Sequence, residues 1–290
     1  MWIFFTFLAA AMQAWRNAFQ SQLSQEVNVV GVTLARFLWA SPIAVCYLLA
    51  LYLWQPTTIP SFNGPFLFYV IGASCMQIFA TGLMVRLFKM KDYAIGAGLA
   101  KSEAMMAAIL GVLFFGTQLT LLAWSGVLIG AVAVFLLSCP EGIKKISLDT
   151  ALTGVICGSA FALTSLWIRE ASLCLEVPFP HRAAWVLVSV IALQTIMLLI
   201  YIKLKEPQTL SALLQHPKLT LLTSITSCIG SIGWFSAMSL QAVPYVKTLG
   251  QVEIFFTMLI AVFWLKQKLK IKDFLALLLI AIASILVMWG

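Results

Sequence analysis

The sequence predicts an all-α integral membrane protein, with ten transmembrane helices arranged as two inverted five-helix repeats. Three observations predict it. The 290 residues are 62% hydrophobic and only 10% charged, with a mean hydropathy of +1.01, whereas a soluble domain carries about 25% charge. Apolar stretches of about 20 residues, the length that spans a bilayer, recur along the chain between short polar breaks. Glu103 and Glu253 each stand in the middle of such a stretch, 150 residues apart.

The expected spans are 2–20, 29–54, 65–88, 92–115, 119–138, 148–170, 183–204, 218–240, 243–265 and 271–289. The first lacks the basic leading region of a signal peptide, so it reads as a retained helix. The longest polar gaps, 20–28, 55–64, 139–149 and 203–217, are too short for a soluble domain. Span two begins near Arg36, and span seven near Arg182; both arginines are expected to anchor at the interface or bind loop carbonyls. Span four carries Gly96-Ala97-Gly98 and span eight Gly230-Ser231-Ile232-Gly233, small surfaces for close helix approach. In span four Lys101 and Glu103 project about 200° apart on a helix, so they face different neighbours. In span nine Lys247 and Gln251, four apart, share a face that Glu253 leaves.

A formal net charge of +8 does not imply nucleic acid, because Lys and Arg fall mostly at the ends of apolar spans, where they anchor and orient helices. The six cysteines show no CxxC spacing and read as small apolar packing residues. His181 and His216 lie at span edges beside prolines, and the chain has no metal-spaced acidic cluster, no Ser/His/Asp arrangement and no phosphate-binding Walker glycine loop. Neither a metal, a cofactor nor an enzymatic activity is expected.

Shifted by 150, residues 69–137 lie over 219–287 without a gap: Ser74 meets Ser224, Glu103 meets Glu253, and Lys101 meets Gln251. A looser match sets Ala14-Trp15-Arg16-Asn17 beside Leu166-Trp167-Ile168-Arg169. The halves are then 1–140 and 148–290. A second copy with an odd number of spans enters from the opposite side, so the halves are related by a pseudo-two-fold axis in the membrane plane, the usual frame for alternating access around a midplane site.

Three stretches resemble the ten-span, EamA-type members of the drug/metabolite transporter superfamily: Ala35-Arg36-Phe37-Leu38 with Pro42, Ala100-Lys101-Ser102-Glu103, and Tyr245-Val246-Lys247-Thr248-Leu249-Gly250-Gln251-Val252-Glu253. The resemblance implies a secondary transporter, often an exporter of amino acids, metabolites or amphipathic drugs, in a bacterial inner membrane. Many relatives carry a proline near the position of Glu103, so a substrate is not carried over from them.

A carboxylate inside the membrane costs roughly 2.5–3.5 kcal/mol on the insertion scale and marks function by default. Glu103 and Glu253 are expected to bind protons or act as substrate counter-charges, since burial disfavours a charged carboxylate; the competing reading pairs them structurally with basic residues. Lys101, Lys247 and Gln251 would orient the ligand. Arg16 and Arg169 complete an inner set of four cations against two acids, which leans toward an anionic substrate. Trp15, Trp39, Trp167, Trp185 and Trp234 are the aromatic candidates to line the site. The expected partners are a small polar or amphipathic metabolite, the lipid bilayer and protons, with the chain a monomer or homodimer. A lipid-linked carrier flippase and a non-transporting membrane interaction subunit are the alternatives. Orientation is contested: the loops after spans three, five, seven and nine hold twelve basic residues, Arg86, Lys89, Lys91, Lys144, Lys145, Lys203, Lys205, Lys218, Lys266, Lys268, Lys270 and Lys272. This bias puts both termini outside, whereas the resemblance implies both inside.

Overall fold

The computed structural model describes residues 1–89, 100–138, 148–263 and 271–290, and every element there is helical. Gly96 to Gly98, Cys139 and the loop lysines 91, 144, 145, 266, 268 and 270 lie outside the described residues, as do the side chains of Lys101 and Lys272. The helices are α1 (Trp2–Leu23), α2 (Val29–Phe37), α3 (Ala40–Trp54), α4 (Gly64–Lys89), α5 (Glu103–Phe115), α6 (Leu121–Ser138), α7 (Leu148–Leu173), α8 (His181–Lys205), α9 (Gln208–Gln215), α10 (Pro217–Leu240), α11 (Val243–Leu249), α12 (Glu253–Phe263) and α13 (Ile271–Trp289). Short 3-10 turns, Ala100–Ser102 and Gly250–Val252, lead into α5 and α12.

Five helical segments are long and apolar enough to cross a membrane: Val29–Trp54, Gly64–Lys89, Leu148–Leu173, His181–Lys205 and Pro217–Leu240. Shorter apolar helices cover Glu103–Phe115, Leu121–Val134 and Phe274–Trp289. Large apolar side chains cover much of the outer surface, with Leu53, Leu121 and Phe263 among the most exposed. An outward-facing apolar surface on this scale is what lipid contact requires.

Two of the expected continuous spans are interrupted. The second breaks at Leu38–Trp39 between α2 and α3. Pro42 lacks an N–H for the Leu38 carbonyl and its ring crowds that carbonyl. Ser224 mends the break from the neighbouring helix: its Oγ donates to Ala35 O at 2.6 Å and accepts from Trp39 N–H at 3.2 Å. The ninth is broken by the Gly250–Val252 turn, which contains Gln251 and separates Lys247 from Glu253. The polar gap near residue 210 folds into the short helix α9, with Thr209 and Leu213 buried.

Three helix pairs dominate the packing: α1 along α10, α4 along α7, and α6 along α13. Of the five long apolar segments α10 is the most enclosed, with 67% of its apolar window buried against 28% for Val29–Trp54. Its buried face is built of small residues, among them Thr223, Ser227, Gly230, Ser231 and Gly233, which permit close approach where lipid removes any hydrophobic drive between helices. At Gly233 a Cβ would stand 2.7 Å from Phe5 O and 2.9 Å from Ala9 N, so α1 fits only against glycine there.

The two ends of the bundle are tied separately. At one end Asn28 caps α2 by accepting from Gly31 N–H at 2.8 Å and donates to Glu206 and Thr209, each at 2.7 Å. Lys89 Nζ donates to Val27 O there at 3.0 Å. The carboxyl ends of α1, α4 and α8 therefore meet at one end. At the other end Arg169 Nη1 donates to Met238 O at 2.7 Å and Gln241 O at 2.6 Å. Arg182 donates to Ser239 Oγ and O at 2.8 and 2.6 Å. Both arginines thus satisfy the free carbonyls at the end of α10, an end that favours cations.

Candidate functional site

Helix α1 departs from its apolar pattern at Gln13, Arg16, Asn17 and Gln20, an i, i+3, i+4, i+7 stripe on one face. That stripe receives Glu253. Gln13 Nε2 donates to Glu253 Oε2, and Asn17 Nδ2 donates to Glu253 Oε1 at 2.8 Å. Arg16 Nη2 in turn donates to Asn17 Oδ1 at 3.0 Å, and Trp234 Nε1 donates to Gln13 Oε1 at 2.8 Å. Both carboxylate oxygens of Glu253, which is 2% exposed, are engaged, as a buried charge requires.

Glu103 is held differently. Lys247 Nζ lies 2.7 Å from Glu103 Oε1, and Ser165 Oγ donates to the same oxygen at 3.1 Å. The Lys247 ammonium also stands over the Trp234 ring, 4.1 Å from its centroid, a favourable cation–π geometry. Each glutamate occupies the first turn of a helix, directly after a 3-10 turn. Helix N-termini carry partial positive charge, so the fold places both acids where a negative charge is best tolerated.

A cavity of about 530 Å³, including its open mouth, lies between α1, α2, α4, α7, α10 and α11; its walls include Arg16, Arg36, Gln77, Phe161, Phe235 and Met238. A smaller one of about 270 Å³ is lined by Ala104, Gly250, Gln251 and Glu253. Gln13, Glu103, Trp234 and Lys247 border both, so these four side chains form the partition between the two chambers. Trp234 is wedged in place: a Cβ on Gly250 would stand 2.4 Å from its Cη2.

Of the residues singled out in the sequence, Glu103, Glu253, Lys247, Gln251, Arg16 and Trp234 come together around this partition. Gln251 is buried against Gly130 of α6, with its amide unpartnered among the described residues. Trp15 stacks on Phe19 at 5.8 Å. Trp167 packs over Gly72 and meets Phe68 edge-on at 6.1 Å, and Arg169 is spent on the end of α10. None of these three lines either chamber. Trp39 is half-exposed, and Trp185 donates to Tyr52 OH at 2.9 Å. Arg36, expected at the interface, is 4% exposed. It points into the larger cavity, because the break after Phe37 turns the end of α2 inward.

Gln13, Asn17, Ser165 and Gln77 were not singled out in the sequence. The stripe on α1 is a legible signal for the first two, since polar residues at helical spacing mark one face. Ser165 and Gln77, which accepts from Gln194 Nε2 at 2.7 Å, leave no such pattern. Among the described residues no group of three or more His, Cys, Asp or Glu side chains is placed to hold a metal.

No known family profile matches the chain. It is 33% identical over 141 residues to an uncharacterized transporter in the cobO 3' region of a Sinorhizobium species, a match spanning 47% of this chain and 96% of that protein. A protein of known crystal structure shares the fold over 98% of both chains, with a TM-score of 0.71 and 16% identity. Likeness to a transporter supports the reading that this chain is not an enzyme. With its apolar helices and that relative together, the chain is a multi-pass membrane protein and belongs to the same transporter family as the Sinorhizobium protein.

Proposed function

We propose that this chain is a secondary active transporter of a small polar or amphipathic metabolite. It would work by alternating access of two inverted halves, 1–140 and 148–290. The observation that carries the reading is that the polar contacts described for the two glutamate side chains all cross between those halves. Glu103 is bound by Lys247 and Ser165, and Glu253 by Gln13 and Asn17. A partition made of such pairs can open and re-form as one half rocks against the other.

Three correspondences support the two-fold relation. The turns before Glu103 and Glu253 are 150 residues apart. Exchanging α1 with α7 and α4 with α10 turns one dominant helix pair into the other, and the α6–α13 pair into itself. Ser74 and Ser224 each donate to a carbonyl outside their own helix, Ser74 to Val190 O at 3.4 Å and Ser224 to Ala35 O at 2.6 Å. In this reading Glu103 and Glu253 carry the coupling proton or face the substrate, and the protein resembles the ten-span drug/metabolite transporters of a bacterial inner membrane.

The test is release of metabolites from liposomes loaded with a cell extract, read by mass spectrometry with and without an imposed pH gradient. Protein-dependent loss of particular metabolites, abolished by Glu253→Gln, is the expected result. Release no faster than from protein-free liposomes would overturn it; uptake of labelled lipid-linked precursors instead would favour a flippase.

A further inference from the structure

We propose that the substrate of this cavity carries an anionic head of the carboxylate, phosphonate or sulfonate class. The head would dock between the guanidinium groups of Arg16 and Arg36, with an apolar body against Phe161 and Phe235. The inference rests on the transporter reading above and names its substrate class.

Two buried arginines meet at this cavity and neither forms an ion pair among the described residues. Arg36 Nη1 donates to Thr81 Oγ1 at 2.7 Å, and its Nε has no partner among the described residues. Arg16 Nη2 donates to Asn17, and its Nε is likewise unpartnered. The two guanidinium groups are close enough to repel each other. Glu253 and Glu103 attract Arg16, but one is taken up by Gln13 and Asn17 and the other by Lys247 and Ser165. Among the described residues around the partition, Arg16, Arg36 and Lys247 stand against two carboxylates, leaving one positive charge over.

An uncompensated buried charge is strongly destabilising, so its presence calls for a missing counter-charge. The aromatic contacts of Arg36 do not supply one. Its guanidinium lies 5.2 Å from the Phe37 centroid and 6.0 Å from that of Phe161, which orients the group without neutralising it. What remains is a planar fork of N–H donors facing an open cavity, a geometry that matches carboxylate and phosphate-like oxygens. The wall beside it is apolar, through Met84, Phe161, Phe235 and Met238. A lone inorganic anion would leave that wall unused; an aryl or alkyl acid fills both.

The test compares melting temperatures of purified wild type, Arg16→Gln and Arg36→Gln, alone and with phenylacetate, phenylphosphonate, benzenesulfonate, neutral phenylacetamide and cationic phenethylamine. Without ligand, both variants are expected to melt no lower than wild type, because each removes one cation from a set that carries one in excess. At about ten times Kd, at least one anion should raise the wild-type melting temperature by roughly 2–4 °C, with the rise lost in both variants. Repeating the series in phosphatidylcholine nanodiscs with and without phosphatidylglycerol separates a soluble acid from a lipid headgroup. Arginine-dependent stabilisation by phosphatidylglycerol alone assigns the anion to lipid. Variants that melt well below wild type without ligand would make the arginines structural and overturn the proposal. So would silence from every anion, or equal stabilisation by the amide or amine. Binding is read here without transport, so metabolite release of an uncharged substrate would leave the transporter reading standing while this inference fails.

Discussion

The Lys247 ammonium is shared between Glu103 Oε1, 2.7 Å away, and the face of Trp234, 4.1 Å from its ring centroid. One cation thus joins a carboxylate from the first half of the chain to an aromatic ring in the second. The pair is largely removed from solvent, with side chains 10% and 15% exposed. Lys247→Met is therefore expected to destabilise by up to about 3 kcal/mol, because it strips a cation from a buried carboxylate. The double variant Lys247→Met/Glu103→Gln should recover part of that loss. Thermal melting of the four proteins as a cycle checks this; additive losses would mean that the two side chains do not act as a pair.

Gly250→Ala is expected to cost roughly 1–3 kcal/mol, the range for overpacking a closed contact. The added methyl meets the edge of Trp234, a rigid ring fixed at its other side by Gln13. Trp234→Phe shortens that edge, so Gly250→Ala should be milder in a Trp234→Phe background. Melting curves decide it, and an unchanged penalty would show that the methyl is accommodated elsewhere.

Ser224→Ala removes both hydrogen bonds that bridge the break at Leu38–Trp39, leaving a buried carbonyl and N–H without partners at roughly 1–3 kcal/mol. Pro42→Ala lets the helix satisfy those groups itself. Ser224→Ala should then be nearly neutral in the Pro42→Ala protein, which hydrogen exchange at the Trp39 amide would report directly. Persistently fast exchange in the double variant would show that the break has another cause.

Arg169→Ala and Arg182→Ala each free carbonyls at the end of α10. Charged hydrogen bonds contribute about 1.5–3 kcal/mol each side chain. Because Arg169 holds Met238 and Gln241 and Arg182 holds Ser239 between them, both secure one short stretch, so the double variant should lose less than the sum, and the amides of Ser239 to Ala242 should exchange faster in either single variant. Exchange unchanged in both would remove these arginines from the account of that helix end.

The helical class and the five long apolar helical segments were legible because they follow from local properties, apolar length and polar interruption. The two glutamates were legible for the same reason, since a carboxylate in an apolar run stands out whatever surrounds it. The stripe of Gln13, Arg16, Asn17 and Gln20 was present at helical spacing, but its meaning depended on which helix it faced. Trp15 and Trp167 were expected at the site from their place beside Arg16 and Arg169. Each turns instead to a packing contact, Phe19 or Gly72, because a helix surface presents neighbouring residues about 100° apart.

By itself, then, the sequence determined that this is a helical membrane protein with acids in two matching stretches. Lipid demands internally satisfied backbone and makes every buried charge conspicuous. Only the tertiary structure decided partners: that Lys247 rather than Arg169 meets Glu103, that amides from α1 hold Glu253, and that Arg36 turns inward. Those choices depend on a proline break mended by Ser224 and on glycines that let α1 and α10 close together. Partners in space are set by how helices pack, and contacts more than 200 residues apart in the chain, such as Gln13 with Glu253, leave no mark on local pattern.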